Sequence, residues 1–214
     1  MRRKLATIGL FLTLATVSAP VLAVDLSANI GYMSQYIYRG IPQSTSSAMG
    51  GLDLEAGGFY LGTWGADVGD GLEIDYYGGY GFEVGDFNFG VGGTIYTYTG
   101  DFDDTYKEIN LSAGWNFLTF DAAIGEYDNF GGPTQNYQFY SVTAEYNGFH
   151  GKVGWFEDDF DGTYVEGGYS NSLTIQDVDW FDYSFLVIYS DSTLLGGDSD
   201  TNFVFTISKT FSLN

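Results

Sequence analysis

The chain has no cysteine, three prolines, seven basic residues and a single histidine in 214 residues. Without cysteine there is no disulfide framework, no thiolate metal site and no acceptor for a lipoprotein anchor. With no cysteine and one histidine, zinc has no ligand set, and an esterase-like triad has a single candidate base, His150, just after the Asn147-Gly148 turn pair, so the chain is not expected to be an enzyme, and no cofactor is expected. Past the first 23 residues no run of about 18 apolar residues occurs, which excludes a transmembrane helix there. The shortage of cations matters most. Once the N-terminal stretch is set aside, 28 acids face only Arg39, Lys107, Lys152 and Lys209, a balance that repels nucleic acid and other polyanions.

That N-terminal stretch, "MRRKLATIGLFLTLATVSAPVLA", joins a basic start (Arg2, Arg3, Lys4) to an apolar centre and a Val21-Leu22-Ala23 ending. This is the layout of a secretory signal peptide. The expected organisation is therefore a signal over residues 1–23 and one exported domain over 24–214. What the domain has in plenty is tyrosine (18), phenylalanine (18), tryptophan (4) and glycine (31). Such a composition reads as all-β, and the aromatics argue against a disordered acidic polymer.

From Leu26 onward apolar and polar residues alternate with period two between clusters of Gly, Asp and Asn. Twelve segments result: 25–38, 48–56, 59–66, 72–84, 87–98, 106–117, 118–127, 136–146, 149–156, 163–175, 180–190 and 201–213. Their connections alternate between tight turns (Gly57-Gly58, Gly85-Asp86, near Phe117-Leu118, Asn147-Gly148, 176–179) and longer loops. Sorting short turns to one end and long loops to the other is the habit of an outer-membrane barrel, with turns in the periplasm and loops outside. The expected fold is thus all-β: a transmembrane antiparallel up-and-down barrel of about twelve strands in a bacterial outer membrane.

Parity assigns the faces. In segment 72–84, Leu72, Ile74, Tyr76, Tyr80, Phe82 and Val84 share one side, with Glu73, Asp75, Tyr77 and Glu83 on the other. The apolar side must meet lipid, so the acids face the lumen. By the same rule the lumen charges are Asp53, Glu55, Glu73, Asp75, Glu83, Glu108, Asp121, Glu145, Glu166 and Asp182, against Arg39, Lys152 and His150. The closing "TNFVFTISKTFSLN" is apolar on one parity and looks like a C-terminal strand presented to the barrel-assembly machinery, although it ends in Asn214 where an aromatic is usual. Lys209 sits on its lipid parity and must reach an interface.

Three stretches, "SQYIYRGIPQS" (34–44), "GFYLGTWGADV" (58–68) and "EIDYYGGYGF" (73–82), resemble the TorF-type putative porin family of proteobacterial exported proteins. The resemblance is strongest over residues 26–84, and it implies an outer-membrane β-barrel and presumed porin. It implies no catalytic residues and names no solute.

Among the charges, Arg39 stands at the outer end of the first segment on lumen parity, with Glu73 and Asp75 at the same height. A guanidinium fork suits such carboxylates, so the three are expected at the pore constriction or mouth, with Arg39 pinning the first loop into the entrance. An anionic mouth and wall favour cations. The loop acids also suit divalent bridging to lipopolysaccharide phosphates, and Glu157, Asp158, Asp159 and Asp161 form a weak calcium candidate that lacks the acid such a loop needs at its twelfth position. Two functions follow from these features: a channel for passive, cation-preferring diffusion of ions or small solutes, or a closed barrel acting as a structural or surface-binding outer-membrane protein. Lumen-side Tyr77, Tyr96, Tyr98, Tyr137 and Phe139 bear on which, because a twelve-stranded bore is small enough for them to plug.

Overall fold

The structure is a computed structural model that describes residues 23–213, so the expected signal peptide lies, apart from Ala23, outside the described residues. Twelve strands form the wall: β1 (Asp25–Met33), β4 (Ser47–Ala56), β5 (Phe59–Asp67), β6 (Leu72–Val84), β7 (Phe87–Tyr98), β8 (Tyr106–Trp115), β9 (Leu118–Tyr127), β10 (Gln135–Tyr146), β11 (Phe149–Asp158), β12 (Gly162–Ile175), β13 (Val178–Ser190) and β14 (Asp200–Ser212). Each pairs antiparallel with its sequence neighbour, and β1 pairs with both β4 and β14 to close the barrel. Two short strands, β2 (Tyr36–Tyr38) and β3 (Ile41–Ser44), stand apart as their own antiparallel pair.

The five tight turns gather at one end. Three of them hold both central residues at positive φ: Gly57-Gly58, Asn147-Gly148 and Gln176-Asp177. That backbone matches the strand twist of a two-residue hairpin. The longer connections, including 99–105, 128–134 and 191–199, gather at the other end.

One expected strand is corrected. Segment 25–38 does not run as a single wall strand, because the wall ends at Met33 and Tyr36–Tyr38 turn into the barrel as β2. Polar partners inside the barrel draw it in: the Tyr36 and Tyr38 hydroxyls and the Arg39 guanidinium all find acceptors there.

Strand periodicity decides what each surface is made of. Every wall strand puts a large apolar residue outward, among them Ile30, Leu52, Leu61, Tyr76, Val91, Ile109, Ile124, Val142, Val153, Val165, Phe185 and Phe203. Exposure reaches 75% at Tyr146 and 70% at Phe203, in a belt that all twelve strands share. The buried hydrophobics sit inside, in two clusters toward the long-loop end. One joins Tyr137, Phe139, Phe156, Tyr164, Ile188 and Val204, and the other joins Met33, Tyr36, Met49, Ala66 and Val68. Lys209, on outward parity, donates to the Asp179 carbonyl in the tight-turn region, which carries its ammonium to the barrel end.

Candidate functional site

The β2–β3 hairpin fills the long-loop half of the barrel. At its tip Arg39 (φ 47°) and Gly40 (φ 81°) form the two-residue turn, both in the left-handed region. A side chain is uncommon there, and a fixed set of contacts must hold it. Gly40 is pressed so closely into the wall that a Cβ would lie 2.6 Å from Tyr164 and 2.9 Å from Leu194. Its carbonyl accepts a 2.6 Å hydrogen bond from the Ser190 hydroxyl.

Arg39 Nη1 and Nη2 donate to Glu108 Oε1 and Oε2 at 2.5 and 2.9 Å, a bidentate pair. The carboxylate side chain is fully buried and the guanidinium is 14% exposed. Tyr137, Tyr96 and Asn110 add donations of 2.8, 3.0 and 2.9 Å to Glu108, so the carboxylate is satisfied on both oxygens. The guanidinium also lies 4.2 Å from the centre of the Phe139 ring and 4.9 Å from that of Tyr38, the stacking that Arg permits and Lys does not. Burial works against the Arg39 charge, but the adjoining Glu108 carboxylate outweighs it and holds the guanidinium protonated above its usual range.

The hairpin's tyrosines extend the contact. Tyr38 donates to the Tyr96 hydroxyl at 2.7 Å, and Tyr36 donates to Glu73 while its ring packs edge-on to Trp64. Burial, and for Tyr36 then the Glu73 charge, pushes both phenols well above their usual range, so they remain donors.

The expected pairing of Arg39 with Glu73 or Asp75 is therefore corrected: its partner is Glu108. A straight first strand would leave Arg39 at the outer end of the wall, level with Glu73 and Asp75, whereas the inward turn after Met33 carries it across to β8. Glu73 is taken by Tyr36, and Asp75, 6% exposed, has one carboxyl oxygen with no hydrogen-bond partner. No periodicity signal marks the inward turn. The one hint was the cation itself, since a lone Arg within an aromatic run has to find a carboxylate.

The remaining lumen charges lie toward the tight turns. Asp53 accepts from Tyr77 and, at 3.3 Å, from Asn29. His150 Nε2 is 2.9 Å from Glu166, and Lys152 lies opposite both Thr143 and Glu166 in the ladder. Asp121 accepts from Ser141 at 3.3 Å, and Asp182 accepts from Ser172. Glu55, Glu83 and Glu145 stand at that rim, close to the turns at 57–58, 85–86 and 147–148. On the outer face, Lys107 pairs with Asp128 at 2.8 Å.

The calcium candidate is not assembled. Asp159 accepts from the Asn136 amide and Asp161 from the Gly162 amide, while Glu157 accepts from Trp155, so these acids are spent separately. Among the described residues no three acids or histidines converge as a metal would require.

Comparison with solved structures finds similar folds. A structure described as "Unveiling the Mechanism Behind the in-meso Crystallization of Membrane Proteins" aligns over 87% of this chain and 84% of its own at 6% identity, with a TM-score of 0.54. OccK1 (OpdK) of Pseudomonas aeruginosa aligns over 87% of this chain and 66% of its own at 12% identity and a TM-score of 0.43. OprD of the same organism gives 88% and 66%, 13% and 0.44. The chain thus spans just under two thirds of the length of those two. At these identities the likeness is one of fold alone. No curated protein matches the sequence. A family model described as "Bacterial protein of unknown function (Gcw_chp)" matches residues 18–184, and the chain belongs to that family.

Proposed function

We propose that this protein is an outer-membrane channel of the porin type, passing cations or small cationic solutes by passive diffusion, with the β2–β3 hairpin as its constriction. The observation that carries the reading is the inside-out sorting of a closed barrel. All twelve strands present apolar side chains outward, while carboxylates, hydroxyls and amides face the lumen. In water such a belt would aggregate, and in a bilayer it is what the hydrocarbon requires. Tight turns then lie in the periplasm and long loops outside. The TorF-type resemblance points the same way.

The preference for cations rests on the hairpin's surroundings. Glu73, Asp75 and Glu108 all lie buried around it, and Arg39 answers only one of them directly. Their field, together with that of Asp53, Asp121, Glu166 and Asp182 beyond them, opposes a passing anion. Lipopolysaccharide, with its phosphates, is the proposed neighbour of the acidic loops, bridged by divalent cations, and the barrel-assembly machinery the proposed route of insertion.

The filled long-loop half favours a second reading, a closed barrel with a structural or surface-binding role. A planar bilayer with a potassium chloride gradient separates the two. The channel reading expects current that reverses on the cation side. A folded protein that reverses on the anion side would remove the selectivity, and one that carries no current under any condition would favour the closed barrel.

A further inference from the structure

The β2–β3 hairpin is the bent end of a longer one. In the wall, Met33 faces Ser47 across the β1–β4 ladder. Three residues further on, Tyr36 faces Ser44, three residues back, so the pairing register is unchanged across the break. Ser34-Gln35 and Thr45-Ser46, all four of them bends, make the break, and the β2–β3 register then shifts by one residue between Tyr36 and Ile37, with Gln43 as the extra residue on β3. The same two strands therefore continue past the bend, tilted into the lumen.

The bend leaves a gap in the wall. β1 pairs with β14 from Ser27–Ser212 to Met33–Thr206, and Ser34 still bonds Phe205 through its amide and hydroxyl. Beyond that point no strand pairs with β14 on this side among the described residues, leaving Asp200–Val204 as an edge. An open edge facing lipid is costly, and barrels exist to avoid one. The sequence holds what would close it. On β1 the outward parity reads Leu26, Ala28, Ile30, Tyr32, and it runs on to Tyr36 and Tyr38, the amphipathic residues suited to an outer interface. The inward parity ends at Arg39. Extending the β1–β14 register brings Tyr38 opposite Thr201 and Arg39 opposite Asp200, with Arg39 and Asp200 both on the lumen side.

We infer that the hairpin has two seats: folded in, with Arg39 on Glu108, and swung into the wall beside β14, with Arg39 against Asp200. The swing trades one carboxylate for another, moves Tyr36 and Tyr38 from lumen acceptors to the outer interface, repairs the β14 edge and clears the long-loop half of the lumen. The hinges are Ser34-Gln35 and Thr45-Ser46. Glu108 is the latch and Asp200 the catch. The inference stands on the hairpin's register and on the open edge, and it does not depend on the channel reading.

The absence of native cysteine makes the test clean. In the folded-in seat the Tyr38 side chain contacts Tyr96 on the far wall, away from β14. A Tyr38→Cys, Thr201→Cys pair can therefore close a disulfide only in the wall seat, where paired strands bring Cα atoms within bonding range. The refolded protein in liposomes is exposed to a mild oxidant, and the bridged peptide is measured by mass spectrometry, with folding checked by heat-shifted migration. The expected result is a bridge in the otherwise native barrel, rising several-fold when Glu108→Gln is added. No bridge in either background would overturn the two-seat arrangement, and equal yields in both would overturn Glu108 as its latch. Should that pair not fold, Tyr36→Cys with Phe203→Cys repeats the test two residues along the same ladder. A bridge without ionic current would leave this inference standing and remove only the channel reading.

Discussion

The two halves of the lumen are built from the same strands, yet they are different materials. Toward the long loops the inward positions are Tyr96, Tyr137, Phe139, Phe156, Tyr164 and Ile188, closed over by an inserted hairpin. Toward the tight turns they include Asp53, Tyr77, Ser141, Thr143, His150, Lys152, Ser172 and Asp182, polar groups mostly bonded to their neighbours in the wall. One half is a packed core that happens to lie in a barrel, and the other is a polar wall. Strand alternation alone produces both, since it fixes only which residues point inward. What fills the space depends on their size and on whether a loop comes in to meet them.

The difference can be broken most severely at Glu108. Removing one partner of a buried bidentate pair costs about 3–5 kcal/mol, because the other charge is left stranded. Glu108→Gln is therefore expected to undock the hairpin, and trypsin should then cut after Arg39 while the wall stays intact. Persistent resistance at that bond would count against the latch. Next in size is Gly40→Leu, which asks a branched side chain to adopt φ 81° and to occupy space already taken by Tyr164 and Leu194. It should expose the same bond, with Glu108 still present.

Arg39→Lys is expected to act more gently. The charge survives, but the bidentate geometry and the stacking on Phe139 are lost, a change of about 1–3 kcal/mol in hairpin docking. Partial trypsin cleavage at the new Lys, between parent and Glu108→Gln, is the readout. Smallest of all should be Asp53→Asn in the polar half. It leaves the hairpin seated and shifts only ion preference, seen as a lower cation-side reversal potential at unchanged trypsin resistance. If this change opened the hairpin, the two halves would not be separable.

Much of the fold was legible in the sequence because a membrane barrel repeats one rule twelve times. The alternation in 72–84 and 180–190, and turn pairs such as Asn147-Gly148, place strands, faces and connections with little help from tertiary context. The site was legible only in part. Arg39 stood out as a cation at a turn, but its partner did not, because Tyr36 and Tyr38 carry the right parity and chemistry for two different places. Local pattern alone does not choose between an outer wall and a lumen lined with carboxylates. The choice is made by Glu108, Ser190 and Tyr164, residues 69, 150 and more than 100 positions away that only the closed barrel brings to the hairpin.

In the proposed function the hairpin constricts a conducting, cation-preferring lumen. Single-channel recording of parent and Glu108→Gln, side by side in planar bilayers, tests it most directly. Brief or small cation-side steps are expected from the parent, and larger, longer ones from the variant. Silence from both, with each shown to be folded by heat-shifted migration, would contradict it and leave a closed barrel.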